Sequence, residues 1–93
     1  MSLLVKNSAG EYTADGKAEL SAINDELGVD LPNEDFTTLS GFAVNNLGGI
    51  PEIGTHPQFT YKNLRFTVLV SDQKLIKSLK LEMIDPDEKE AEE

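Results

Sequence analysis

Ninety-three residues with 39% hydrophobic and 27% charged content suit one globular domain built on a single modest core. A net charge of −9 repels phosphate backbones and anionic lipid, which argues against nucleic-acid binding and against direct membrane insertion. The chain has no cysteine, so disulfide frameworks and thiolate metal sites are excluded, and no apolar run approaches the roughly 20 residues of a membrane-spanning helix.

The charge is uneven. Asp85 to Glu93 hold six acids and one lysine, −5 in all, while residues 1–84 hold eleven acids and seven bases, −4. The reading is therefore a folded body over 1–84 and a disordered acidic tail over 85–93. The N-terminus lacks the charged and then apolar pattern of a signal peptide.

Leu3-Leu4-Val5-Lys6 reads as a first strand and Glu11-Tyr12-Thr13-Ala14 as a second, with the turn cluster Asn7-Ser8-Ala9-Gly10 between them. Asp15-Gly16 closes the pair. From Ala18 the period becomes helical. Ala18, Leu20, Ile23 and Leu27 share one face over about three turns, and Gly28 is placed to cap the C-terminus. Pro32 ends the connector after that helix. Thr37 or Thr38 caps a second helix with the apolar stripe Leu39, Phe42, Ala43 and Leu47. Gly41 inside it costs roughly 1 kcal/mol relative to alanine, which suggests a point where another element touches the backbone. Gly48-Gly49 stops that helix.

An extended link, Ile50-Pro51-Glu52-Ile53-Gly54, leads to a strand beginning Phe59-Thr60-Tyr61. Lys62-Asn63 reads as a two-residue hairpin connection, with the asparagine taking positive φ. Leu64, Phe66, Val68 and Val70 then alternate with Arg65, Thr67 and Ser71, and Leu69 is the one apolar residue on the polar side. In the last strand Leu79, Leu81 and Met83 point inward. Ile76 lies three residues before Leu79, so a β-bulge near Lys77-Ser78 is needed to keep both on the core face. The order is ββααβββ: an α+β domain of two layers, an antiparallel sheet of about four to five strands packed with two helices.

Groups able to do chemistry are few. The one histidine, His56, sits in a loop and is read as a bystander. Six serines lack a nucleophile-elbow setting, and Gly48-Gly49 follows a helix where a phosphate-cradling loop would precede one. The chain is therefore read as a non-enzyme, with no cofactor expected. Asp25, Glu26, Asp30, Glu34 and Asp35 form the one carboxylate-rich stretch, a weak candidate for a hard divalent cation with no EF-hand spacing. Arg65, Lys77 and Lys80, with Lys74 nearby, would put a small basic patch on the outer sheet face. Together with Leu69 they are the candidate interface residues.

Five segments in order resemble the transporter-associated domain of the CorC/HlyC type: Gly10 to Gly16, Leu20 to Pro32, Asp35 to Gly41, Gly49 to Gly54, and Leu64 to Val68. The stretch from Thr55 to Asn63 is longer than that pattern has, and Thr55 stands where an acidic residue is usual. The resemblance implies a fold similar to part of a flavin-binding superfamily. It also implies a C-terminal place after a membrane domain and a CBS pair, on the cytoplasmic face, in magnesium and cobalt efflux or hemolysin-like proteins. The implied role is modulation of ion transport through docking on those domains or as a homodimer. Binding of FAD, an adenine nucleotide or a divalent cation is the alternative the kinship brings. A pore-forming role is disfavoured by the lack of a basic amphipathic helix.

Overall fold

Seven elements succeed one another in the computed structural model, which describes residues 3–7 and 10–84: β1 (Leu4–Lys6), β2 (Tyr12–Asp15), α1 (Leu20–Leu27), α2 (Leu39–Leu47), β3 (Gln58–Tyr61), β4 (Leu64–Ser71) and β5 (Ile76–Met83). The expected tail over 85–93 lies outside the described residues. The strands form one antiparallel sheet in the order β1-β2-β5-β4-β3. The N-terminal hairpin thus closes against the last strand of the C-terminal meander, and the two helices fill the excursion between them.

The register sorts side chains into rows. Leu4, Ala14, Leu79 and Val68 face one another across four strands on the inner side, and Tyr12, Leu81, Phe66 and Phe59 form the next row. Leu20 and Ile23 of α1 and Leu39, Phe42 and Ala43 of α2 are buried in the same cluster. Phe42 is its centre. Four rings meet it edge-on, those of Phe36, Phe59, Tyr61 and Phe66, with centroids 5.2 to 5.9 Å away. Phe59 and Phe66, directly opposite on β3 and β4, stack at 4.7 Å. Each such contact adds about 0.5–1.5 kcal/mol beyond area burial.

Both helix ends obey local chemistry. Thr38 caps α2 by accepting from the Gly41 N–H at 3.3 Å, and Gly28 and Gly48 end α1 and α2 in the left-handed region, φ 65° and 81°. α1 is shorter than its periodicity suggests: eight residues, from Leu20. The two residues before it are held as extended chain, since Glu19 bridges Thr38, Leu39 N–H donates to the Ala18 carbonyl, and Leu20 N–H donates to the Thr37 carbonyl. After α1, the Asn24 amide bonds both backbone groups of Leu31, at 3.1 and 2.7 Å, and so folds the connector back to bury Leu31.

Several sequence expectations need correction. Gly41 is exposed, and a side chain there would meet only the Thr38 hydroxyl at ordinary contact distance. The close approach is at Gly16, where an added Cβ would overlap the Ile76 carbonyl. Gly16 is buried, donates to the Lys77 carbonyl at 2.8 Å and accepts from Ser40 N–H at 2.9 Å, while the Ser40 hydroxyl accepts from Ile76 N–H at 3.0 Å. In the β3–β4 turn the positive φ, 54°, belongs to Lys62 rather than Asn63.

The bulge expected at Lys77 is present, since Val70 pairs Ser78 and Ser71 pairs Ile76. A second irregularity precedes it: Val68 pairs Leu79 and Val70 pairs Ser78, leaving Leu69 as an extra residue on β4. That insertion flips the facing of the next two residues. Val70 is therefore 51% exposed, whereas Ser71 is buried. Met83, expected inward, is 52% exposed at the strand end opposite Leu64, and the next residue, Ile84, is buried instead.

Candidate functional site

Helices cover one face of the sheet. The other presents a polar row from β2 to β3: Thr13, Lys80, Thr67 and Gln58. Lys80 lies at its centre, with its ammonium 3.8 Å from a Glu11 carboxylate oxygen and 3.7 Å from one of Glu82. The Gln58 amide donates to the Thr67 hydroxyl at 3.0 Å. Arg65 faces Glu82 on one side and Thr60 on the other. Of the four interface candidates, Arg65 and Lys80 share this face, Lys80 between two acids and Arg65 in register with Glu82. Lys77 is exposed at one bulge, and Leu69 is half-buried at the other.

The five candidate carboxylates do not converge. Asp25 and Glu26 are exposed in the last turn of α1, and Glu34 and Asp35 are exposed in the turn after Pro32. The Asp30 carboxylate lies 3.2 Å from the Lys62 ammonium. Among the described residues no three His, Cys, Asp or Glu side chains gather as a metal site. This stretch therefore does not fit a divalent cation held by several carboxylates.

The remaining polar groups are tied to backbone. His56 Nδ1 donates to the Val68 carbonyl at 2.9 Å, and Val68 N–H donates to the Pro57 carbonyl at 3.0 Å. The loop before β3 thus continues the pairing along β4 up to the bulge. The Asp72 carboxylate accepts from the N–H groups of Lys74 and Leu75 at 2.7 and 2.8 Å. Those two bonds hold its pKa below the ordinary 3.8, with the Lys77 and Lys74 charges adding to the effect.

Three hollows matter for binding. One of about 170 Å³ lies between the α1–α2 connector and the β3–β4 turn, beside the Lys62–Asp30 pair. It is smaller than the roughly 300–1,000 Å³ of ordinary small-molecule sites, so a flavin does not fit there. Two wider clefts share Ile50: one of about 490 Å³ beside Asp72 and Gln73, and one of about 410 Å³ at the start of α2.

The model of the transporter associated domain family CorC_HlyC matches residues 5–85. The chain belongs to the CorC/HlyC transporter-associated domain family. Its fold recurs in solved structures. A hemolysin domain from Enterococcus faecalis is 25% identical and superposes with a TM-score of 0.84 over 90% of this chain and 100% of that one. A CorC/HlyC domain of a Xylella fastidiosa hemolysin, solved in complex with Mg²⁺ and Mn²⁺, is 24% identical, with a TM-score of 0.75 over 90% and 100%. The transporter-associated domain of a CBS domain protein from Porphyromonas gingivalis is 22% identical, with a TM-score of 0.76 over 90% and 100%. A comparison with curated proteins returned no match. No helix of the described residues of this CorC/HlyC domain is long and apolar enough to cross a membrane.

What the sequence missed is the set of acids around Lys80. Glu82 stands two residues from Lys80 on β5, but Glu11 immediately precedes β2, and its approach to Lys80 depends on the β2–β5 pairing between the two ends of the chain.

Proposed function

We propose that this CorC/HlyC domain is a non-catalytic accessory module of a CorC-like or hemolysin-like membrane protein. It acts on the cytoplasmic side, docks against the CBS pair or membrane domain of its parent or against a second copy, and thereby adjusts magnesium or cobalt transport. The observation that carries this reading is the family match over residues 5–85, which takes in nearly every described element.

The geometry supports it. Lys80 is held by two acids, Asp30 by Lys62, and Asp72 and His56 by backbone groups. A reaction centre needs such groups to converge on an empty position. Meanwhile Ile50 and Ile53, on either side of Pro51 and Glu52, stay exposed beside the β4–β5 turn. Adjacent exposed apolar residues suit a contact surface.

Sedimentation of the chain alone and mixed with a CBS pair from the same parent protein tests the role. Association with the pair, or self-association, is the expected result. A strict monomer that ignores the pair at high micromolar concentration would remove the proposal.

One observation favours a second reading as a divalent-cation binder: the Xylella fastidiosa relative was solved with Mg²⁺ and Mn²⁺. Against it stands the dispersal of Asp25, Glu26, Asp30, Glu34 and Asp35. A rise in melting temperature with micromolar MnCl2 or MgCl2 would promote it, since a specific ligand stabilises by mass action.

A further inference from the structure

We infer that the cleft between the start of α2 and the β4–β5 turn receives a short acidic peptide segment with an aliphatic anchor, presented by a neighbouring protein domain. This site presupposes the docking role proposed above and gives that role a place and a chemistry.

The cleft measures about 410 Å³ and has two kinds of wall. Val44, Ile50 and Leu75 supply an apolar side, and Ile50 is 40% exposed. Lys17 and Lys74 come from opposite rims, β2's end and the β4–β5 turn, and both are exposed. Neither is in an ion pair among the described residues, in contrast to Lys62 and Lys80. The nearby acids Asp15 and Asp72 are turned onto backbone, accepting from Lys17 N–H at 2.8 Å and from Lys74 and Leu75 N–H. The cleft therefore offers two ammonium groups on either side of an aliphatic surface, on a chain that is otherwise acidic.

A phosphate or nucleotide would need more than that. Phosphate cradles are built from backbone N–H groups aimed at the ligand. Here the N–H groups of Gly16, Lys17, Ser40, Gly41, Lys74 and Leu75 are all bonded within the chain. The start of α2 has no donor to spare in its first turn, and the two lysines are flexible point charges without the planar fork that matches phosphate bidentately. Apolar contact then has to supply the holding contribution, because two exposed charge pairs add little and mainly set orientation and partner choice.

The test titrates the ¹⁵N-labelled 93-residue chain with a blocked hexapeptide alternating glutamate and leucine. Controls are an all-glutamate hexapeptide, a lysine–leucine hexapeptide and AMP. The expected result is saturable amide shifts at Gly16, Lys17, Gly41, Val44, Ile50 and Leu75 with the first peptide only. The double variant Lys17→Glu/Lys74→Glu should weaken binding about tenfold, as loss and reversal of two rim charges predicts. Ile50→Ser should weaken it independently. All three positions are exposed, and an unchanged melting temperature verifies the fold. Should a variant unfold, salt decides instead, because about 0.5 M NaCl should weaken the native chain's binding by screening.

Shifts that map elsewhere, affinity untouched by both charge reversal and salt, or AMP binding the cleft more tightly than the peptide would each overturn the assignment. Its failure is separable from that of the docking role. A chain that associates with its CBS pair through another surface loses this site and keeps the role, whereas a chain that associates with nothing loses both.

Discussion

Replacing Gly16 by alanine probes the joint on which β2, α2 and β5 meet. The backbone of Gly16 is not in the left-handed region, so alanine itself is conformationally acceptable. The cost is steric, because the new Cβ would overlap the Ile76 carbonyl oxygen, and a main-chain atom cannot rotate aside. Overpacking of this kind costs about 1–3 kcal/mol. Moving Ile76 also strains the bond its N–H donates to the Ser40 hydroxyl and the two bonds of Gly16 itself, each worth about 1 kcal/mol. A loss of about 3 kcal/mol is expected, or roughly 12–20 °C in melting temperature for a domain of this size. Urea and thermal unfolding followed by circular dichroism measure it. Gly41→Ala is the matched control: it lies on an exposed helix position with only ordinary contact to Thr38, and should stabilise by about 1 kcal/mol. If Gly16→Ala unfolds within 1 kcal/mol of the native chain, or Gly41→Ala proves the more harmful, the packing account is wrong.

Asn24→Ala removes both bonds to Leu31 and leaves part-buried backbone groups unpaired, so urea unfolding should show a loss of about 2 kcal/mol. Thr38→Ala takes away the α2 cap and should cost about 1 kcal/mol in the same assay, with Thr38→Ser largely retaining it. Asp72 has a lowered folded pKa, so its contribution is present above 3.8 and is lost as pH falls through the folded value. The difference in melting temperature between the native chain and Asp72→Ala should therefore be full at pH 6 and shrink as the pH is lowered below 3.8.

Much of this fold is written in short-range patterns. The change from period two to a helical period at Ala18, the glycines after Leu27 and Leu47, and the spacing of Ile76 from Leu79 each pointed to an element or an irregularity that is present. The bulge at Lys77 was legible because it repairs a break in alternation. Its companion at Leu69 was not, because Leu64, Phe66, Val68 and Val70 alternate without a break and any inserted residue is masked. The same limit applied to the glycines. Local propensity marks Gly41 as unusual in a helix, but the need for glycine at position 16 arises from Ile76, sixty residues away. Charge pairing on the sheet behaved likewise. The lysines and arginine near the last strands look like a basic patch in one dimension, and become an alternating surface once β2 brings Glu11 beside Lys80.

The strand order has a consequence for how copies of the molecule meet. The two eight-residue strands, β4 and β5, are interior or shielded, and the borders of the sheet are the shorter β1 and β3, of three and four residues. So brief a border gives a foreign strand few rungs to add, which protects against runaway ribbon growth. Assembly of this module is thereby steered toward contacts between faces, where side chains rather than main chain choose the companion.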